Sequence, residues 1–347
     1  MVYVCVVCRP GSSYSVEKMP SNPVDTTAVA SAQHPIFVIG VHGSGTTLLR
    51  YMLNSNPRIY IPPESDFIPR FFLRSPDRVL SEERIGKMLH VIFRRYRFVK
   101  EWRSDPPRRE AFTLQMPVRT PAAFLDLLYS LYAGQHGAVR WGDKTPIYTS
   151  YVDLLHQLFP SARFVHIIRD GRDVALSMLD KWGAKEVHVD LYFAGRTWAR
   201  RIRKARACGA RLGTELYYEL RYESLVERPE QQLRSLSEFL GEPYVSEMAQ
   251  PHILARERIP SGDFHEAVRQ PPSQSRVGRW RREMSERDHR LFQHVSGGLL
   301  NELGYPVMDL GRLSLKERAR LMAFRVKYEA LQTGRRILEK ARVMPPI

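Results

Sequence analysis

The segment Phe37-Val38-Ile39-Gly40-Val41-His42-Gly43-Ser44-Gly45-Thr46-Thr47-Leu48-Leu49 holds the residues whose types and spacing most directly imply chemistry. An apolar run stops at a Gly/Ser/Thr turn, and an apolar helical pattern begins straight after it. A strand, a tight turn and a helix N-terminus in that order form an anion site. The N–H groups of the turn and the positive end of the helix dipole point to one place. The spacing Gly40-x4-Gly45-Thr46-Thr47 copies the P-loop of nucleoside-triphosphate enzymes, except that Thr46 stands where the P-loop keeps its lysine. That lysine serves the β- and γ-phosphates, so a cradle without it suits a different phosphorylated donor. A second cluster, Arg169-Asp170-Gly171-Arg172-Asp173, follows the expected buried strand Arg163–Ile168, and Ser177 lies eight residues after Arg169. Ligands of open parallel sheets bind beyond the carboxyl ends of the strands. Arg169 would then face the same crevice as the first turn, and its guanidinium with the Ser177 hydroxyl would make a second phosphate site. The competing reading of Arg169–Asp173 is a salt-bridged turn.

The elements that must position these groups follow from periodicity and punctuation. Strands are expected at about Ile36–Gly40, Arg163–Ile168 and Leu216–Arg221, and helices at about Thr46–Asn54, Val174–Lys181 and Pro229–Leu240, the last stopped by Gly241. Asn56–Pro63 reads as a loop or short strand, and 64–135 as several helices with basic linkers. Strands alternating with helices imply an α/β fold with a P-loop-like parallel sheet covered by helices on both faces. Residues 1–33 lack periodicity and read as a disordered N-terminal segment, 34–306 as one domain, and 307–347 as a basic helical tail.

At 347 residues the chain can bury a full core, and 43% hydrophobic with 26% charged residues is ordinary for a globular protein. No apolar stretch is long enough to span a bilayer, and Val2–Val7 is short for a signal-peptide core, so the sequence reads as cytoplasmic. The formal charge of +16 suits a polyanionic partner, but no zinc finger, RNP sequence or basic-zipper heptad is present, and no nucleic-acid partner is expected. Cys5, Cys8 and Cys208 are too few and too scattered for a disulfide framework or a four-ligand zinc site.

The two anion sites, taken with their surroundings, resemble the sulfotransferases that use 3′-phosphoadenosine 5′-phosphosulfate (PAPS). The similarity is greatest to the branch containing the tyrosylprotein sulfotransferases and their bacterial relatives. Gly40–Thr47 is similar to the 5′-phosphosulfate loop of that family, and Val165–Ser177 to its 3′-phosphate motif. The resemblance runs on through Pro62-Pro63-Glu64-Ser65, Gly142-Asp143-Lys144-Thr145-Pro146, Arg221-Tyr222-Glu223-Ser224-Leu225, Val277-Gly278-Arg279-Trp280 and Leu303-Gly304-Tyr305, across about residues 35–306.

The resemblance implies a sulfotransferase fold and sulfuryl transfer from PAPS to a hydroxyl acceptor by in-line displacement, without a metal. His42, Gly43, Ser44, Gly45, Thr46 and Thr47 would hold the 5′-phosphosulfate, and Arg169 and Ser177 the 3′-phosphate. Tyr222 would contact adenine and Arg276 would close over the 3′-phosphate, with Lys181 a weaker candidate there. Glu64 falls where the tyrosylprotein branch keeps its general base, and Lys144 matches the lysine that touches the transferred group. Two departures stand out. The family carries a basic residue at the position of Gly43, so a cation is missing there unless a protonated His42 or an arginine from elsewhere supplies it. Asp66 stands where the tyrosylprotein branch has a basic residue for acidic peptides, which turns the expectation toward a small-molecule, carbohydrate or lipid-linked hydroxyl. The competing functions are another P-loop-like small-molecule kinase and a catalytically impaired donor-binding scaffold.

The tail carries ten Lys/Arg against three Glu over 312–342, and Leu321, Phe324, Tyr328, Leu331 and Leu338 fall near one helical face. Such a helix either packs that face on the domain, the simpler arrangement, or lies on an anionic membrane as a peripheral contact.

Overall fold

The computed structural model describes residues 34–94, 106–183, 190–259, 265–309, 311 and 313–340. The N-terminal segment 1–33, with Cys5 and Cys8, lies outside them.

Five parallel strands form one sheet in the order β2-β3-β1-β4-β5, with β1 Ile36–Ile39, β2 Ile59–Tyr60, β3 Arg140–Lys144, β4 Arg163–Ile168 and β5 Tyr217–Arg221. Val38 lies opposite both Lys144 of β3 and Val165 of β4, which brings the ends of the three central strands to one level. The central strand is fully buried on both faces, and for that reason it reads as an unbroken apolar run. Its side chains alternate. Phe37 and Ile39 enter a core with Trp141, Phe159 and Phe164, while Ile36 and Val38 enter another with Leu49, Met52 and Leu225.

Helices follow the strands as expected. The helix α1 (Thr46–Asn54) has the predicted bounds. The predicted Val174–Lys181 instead begins earlier, as α2 (Gly171–Met178), because the Asp170 side chain accepts a hydrogen bond from the Arg172 N–H and caps the first turn. It runs on into a π-helical turn, Leu179–Gly183, which carries Lys181 and Trp182. The long helix α3 (Leu191–Leu212) packs on α2 and on α4 (Glu286–Glu302), with Trp198, Phe292 and Leu299 at the contact. The stretch 64–135 is helical at Ile68–Phe72, Glu82–Phe93, Arg109–Leu114 and Pro121–Gly134.

Two strands depart from the expectation. Ile59–Tyr60 takes the strand alternative of the Asn56–Pro63 reading, and Arg140–Lys144 forms a strand where none was expected. The tail forms α5 (Leu315–Lys340), and Leu321 and Tyr328 bury against Tyr192 and Leu291 of the domain, with Phe324 packed beside them. Leu331 does not join that contact and is exposed, since it falls at the edge of the packed face. No helix among the described residues is long and apolar enough to cross a membrane.

Candidate donor-binding and active site

A cavity of about 320 Å³ opens beyond the carboxyl ends of the strands. His42, Gly43, Gly45, Thr46 and Thr47 line it from the first turn, Arg169 and Ser177 from the second strand end, and Glu64, Tyr222 and Arg276 from three further segments. Ser44 and Lys144 are buried behind this surface.

The first turn owes its shape to two glycines. Gly43 has φ +87° and Gly45 φ +99°, a backbone region that side chains strongly disfavour. Space forbids side chains as well. A Cβ on Gly45 would lie 2.5 Å from the Tyr222 ring, and one on Gly43 would lie 2.9 Å from Cβ of Ser177. The Ser44 N–H donates to the Val41 carbonyl at 3.0 Å, and the Gly40 N–H donates to the Thr149 hydroxyl at 2.8 Å. The N-cap residue of α1 makes no side-chain capping bond, and Gly45, Thr46 and Thr47 at its N-terminus line the cavity.

Arg169 joins the parts of the site. One guanidinium nitrogen donates to the Gly43 carbonyl at 2.9 Å, the other to the Arg276 carbonyl at 2.5 Å, and the group stacks 4.4 Å from the centre of the Tyr222 ring. Its Nε is buried and has no hydrogen-bond partner among the described residues. Asp173 anchors the far wall. Its carboxylate accepts from the Gly278 N–H at 2.8 Å and the Trp280 N–H at 3.0 Å, and lies 3.5 Å from Arg169. The salt-bridged turn is thus present too, in the Arg172–Asp170 pair at 2.7 Å. Tyr222 opens the short helix Tyr222–Glu227 directly after β5, so its ring leaves the sheet and closes the cavity beside Gly45.

Glu64 and Lys144 meet as an ion pair of 2.9 Å at the cavity floor. Burial lowers the Lys144 pKa, and the nearby Arg50 cation lowers it further, while Glu64 holds it up. A polar network that sequence reasoning missed fixes the pair. Asp143, wholly buried, accepts from the Ser65 and Tyr129 hydroxyls at 2.6 Å each, and the Ser65 N–H donates to Thr145 Oγ1 at 3.0 Å. Burial pushes the Asp143 pKa up, and these hydrogen bonds oppose the shift. On the other side the Asn54 amide clamps Ile61 through both backbone groups, at 2.8 and 2.9 Å, which sets the approach of Pro62-Pro63-Glu64. The sequence signal for this network was the pair of segments 62–65 and 142–146, in which Ser65, Asp143 and Thr145 had no roles assigned beside Glu64 and Lys144.

Burial favours the neutral form of His42 in this geometry. Loss of water pushes its pKa down to about 3; Glu64 pulls it back up, and the cations Arg201, Lys181 and Lys144 each push it down. The ring instead meets Trp182 edge-on at 5.0 Å. Trp182 and the segment 265–273, including Val268 and Pro271, line the cavity and were not singled out from sequence.

A two-ended anionic donor fits these groups. The unpartnered Arg169 Nε, the uncapped helix N-terminus and the side-chain-free cradle at Gly43 and Gly45 are what a phosphate at either end would use. The sequence profile of the sulfotransferase family matches residues 35–246, more than half of the chain, and the chain belongs to that family. It is 27% identical over 293 residues to the nodulation protein NoeE of Sinorhizobium fredii, covering 78% of this chain and 65% of that one. With a putative protein-tyrosine sulfotransferase of Caenorhabditis briggsae it shares 25% identity over 237 residues, 66% of this chain and 72% of that one. The chain spans only 31% of a longer Aquifex aeolicus protein to which it is 28% identical. Among solved structures, the sulfotransferase domain of the Synechococcus PCC 7002 olefin synthase superposes with a TM-score of 0.56 at 20% identity, over 80% of this chain and 97% of that one. That likeness shows the fold.

Proposed function

We propose that the chain transfers the sulfuryl group of PAPS to a hydroxyl acceptor. The observation that carries this reading is the Arg169 guanidinium, which ties the Gly43 turn to the Arg276 segment on one cavity and so supports two anion sites facing each other across it. A nucleotide with phosphate groups at both its 3′ and 5′ positions needs that arrangement, whereas a triphosphate needs the lysine that Thr46 replaces.

In this reading the first turn and the α1 N-terminus hold the 5′ end, Arg169, Ser177 and Arg276 hold the 3′-phosphate, and Tyr222 packs on the base. Glu64 takes the proton of the acceptor hydroxyl as its oxygen bonds to sulfur. The bond from sulfur to the 5′-phosphate oxygen breaks, and the electron pair stays on that phosphate. Lys144, within 2.9 Å of Glu64, lies where it can offset the charge that builds at the transferred group. No metal enters this scheme. Asp66 is exposed two residues beyond Glu64 and disfavours an acidic peptide, which supports a neutral small-molecule, carbohydrate or lipid-linked hydroxyl as acceptor.

The test is transfer itself. Cell extract supplied with labelled PAPS and the purified chain should yield new sulfated products by mass spectrometry, and the Glu64→Gln chain should yield almost none. Equal labelling with and without active chain would overturn the reading.

A further inference from the structure

The C-terminal helix α5 has two apolar faces, and the domain covers one of them. Leu321 and Tyr328 are buried on Tyr192 and Leu291, and Lys327 Nζ bonds Asp190 at 3.1 Å, which together fix the rotation of the helix. Leu315, Met322 and Val326 consequently point outward, 83%, 58% and 62% exposed. Ala319, Ala323 and Ala330 are exposed between and beyond them. Positions 315, 319, 322, 323, 326 and 330 make one continuous stripe at helical spacing. Exposed Arg318 and Arg325 border the stripe on one side, with exposed Glu329 between them and Met322, and Lys316 and Arg320 border it on the other. The Glu317 carboxylate is turned away, onto the Ser314 hydroxyl and N–H at 2.8 Å and toward Arg290 at 3.5 Å.

We propose that this stripe docks the protein on an anionic lipid bilayer, with α5 lying in the headgroup plane between membrane and domain. The proposal does not depend on the transfer reaction. The face concerned is opposite to the one that the periodicity of Leu321, Phe324 and Tyr328 marks out, since that face is already occupied by the domain. Charge selects the occupant. Two copies of the stripe packed together would bring together flanks in which four cations outnumber the single Glu329 carboxylate. A bilayer surface accepts both features, because Leu, Met and Val enter the acyl boundary while Arg and Lys stems lie along it and reach lipid phosphates. The net charge of +16 adds long-range attraction to the same surface.

The experiment is co-sedimentation of the full chain with phosphatidylserine/phosphatidylcholine vesicles and with phosphatidylcholine alone. Binding is expected only to the first, and it should weaken but persist as salt rises. Met322→Ser with Val326→Ser keeps every charge and touches only exposed positions, and it should weaken binding about tenfold by removing the apolar contact. Leu315→Ser, in the first turn of the helix, gives an independent variant with a loss in the same direction. Unchanged vesicle binding in folded Ser variants would overturn the proposal, as would an intact chain that ignores anionic vesicles at low salt. A dimer in sedimentation velocity that the same substitutions dissociate would overturn it in favour of self-association.

Discussion

At the scale of single residues the site divides into groups that carry charge and groups that only look able to. Glu64 and Lys144 form a buried pair at the cavity floor. Glu64→Gln should preserve donor affinity and lower turnover by on the order of 10²–10⁴, the usual worth of a general base. Stopped turnover with intact donor binding is the expected pattern, and unaltered turnover would remove Glu64 from the chemistry. His42 behaves differently, because its pKa near 3 keeps it neutral through the physiological range. The rate should therefore show no inflection from His42 near 6.5, and a loss of activity above that pH that His42→Ala abolishes would contradict the account. His166 is buried too, bonded to the Tyr217 hydroxyl, and burial sets its pKa at about 3. The sign follows from proton counts. The unfolded chain binds a proton at His166 as pH falls through about 6.5 and the folded chain does so only near 3, so this residue withdraws stability across that window on acidification. Urea midpoints of the native chain and His166→Gln should therefore diverge in slope between those limits, the variant losing less stability as pH falls. Parallel slopes would contradict the buried neutral assignment.

At the scale of elements, the missing cation of the first turn has a backbone explanation. Gly43 at φ +87°, with Ser177 where its Cβ would go, leaves no place for an arginine. Gly43→Ala should cost about 1–3 kcal/mol of stability and weaken donor binding, while Gly43→Arg should bring no gain in turnover. Tighter donor binding by a folded Gly43→Arg chain would contradict this geometry. The same scale shows what was legible in the sequence. Ile36–Ile39 and the Phe164–Ile168 part of β4 are buried on both faces, so apart from His166 they are apolar and read as strands without help. Arg140-Trp141-Gly142-Asp143-Lys144 is equally buried, yet its polar members bond to Glu242, Ser65, Tyr129 and Glu64 from far along the chain. No local pattern announces a strand whose partners are 14 to 106 residues away. The glycine turn and the Arg169–Ser177 spacing were legible because one element supplies each of them. The wall built by Asp173 on Gly278 and Trp280 was not, because it joins segments 105 and 107 residues apart.

At the scale of the whole molecule, the sheet sets the site and the tail stays remote from it. Every proposed donor contact lies between His42 and Arg276, while α5 packs on Tyr192 and Leu291. Tyr328→Ala should thus lower stability by on the order of 2 kcal/mol, from lost apolar burial, and leave donor affinity within about twofold. The central claim is that one cavity holds two separated anionic groups of a nucleotide, and calorimetric titration with adenosine 3′,5′-bisphosphate against ATP tests it most directly. The account predicts that the bisphosphate binds and raises thermal stability, by ~2.7 kcal/mol at a hundredfold excess over Kd. Ser177→Ala should weaken that binding, and ATP should have little effect. ATP binding as tightly as the bisphosphate, or no binding of the bisphosphate by the folded chain, would contradict it.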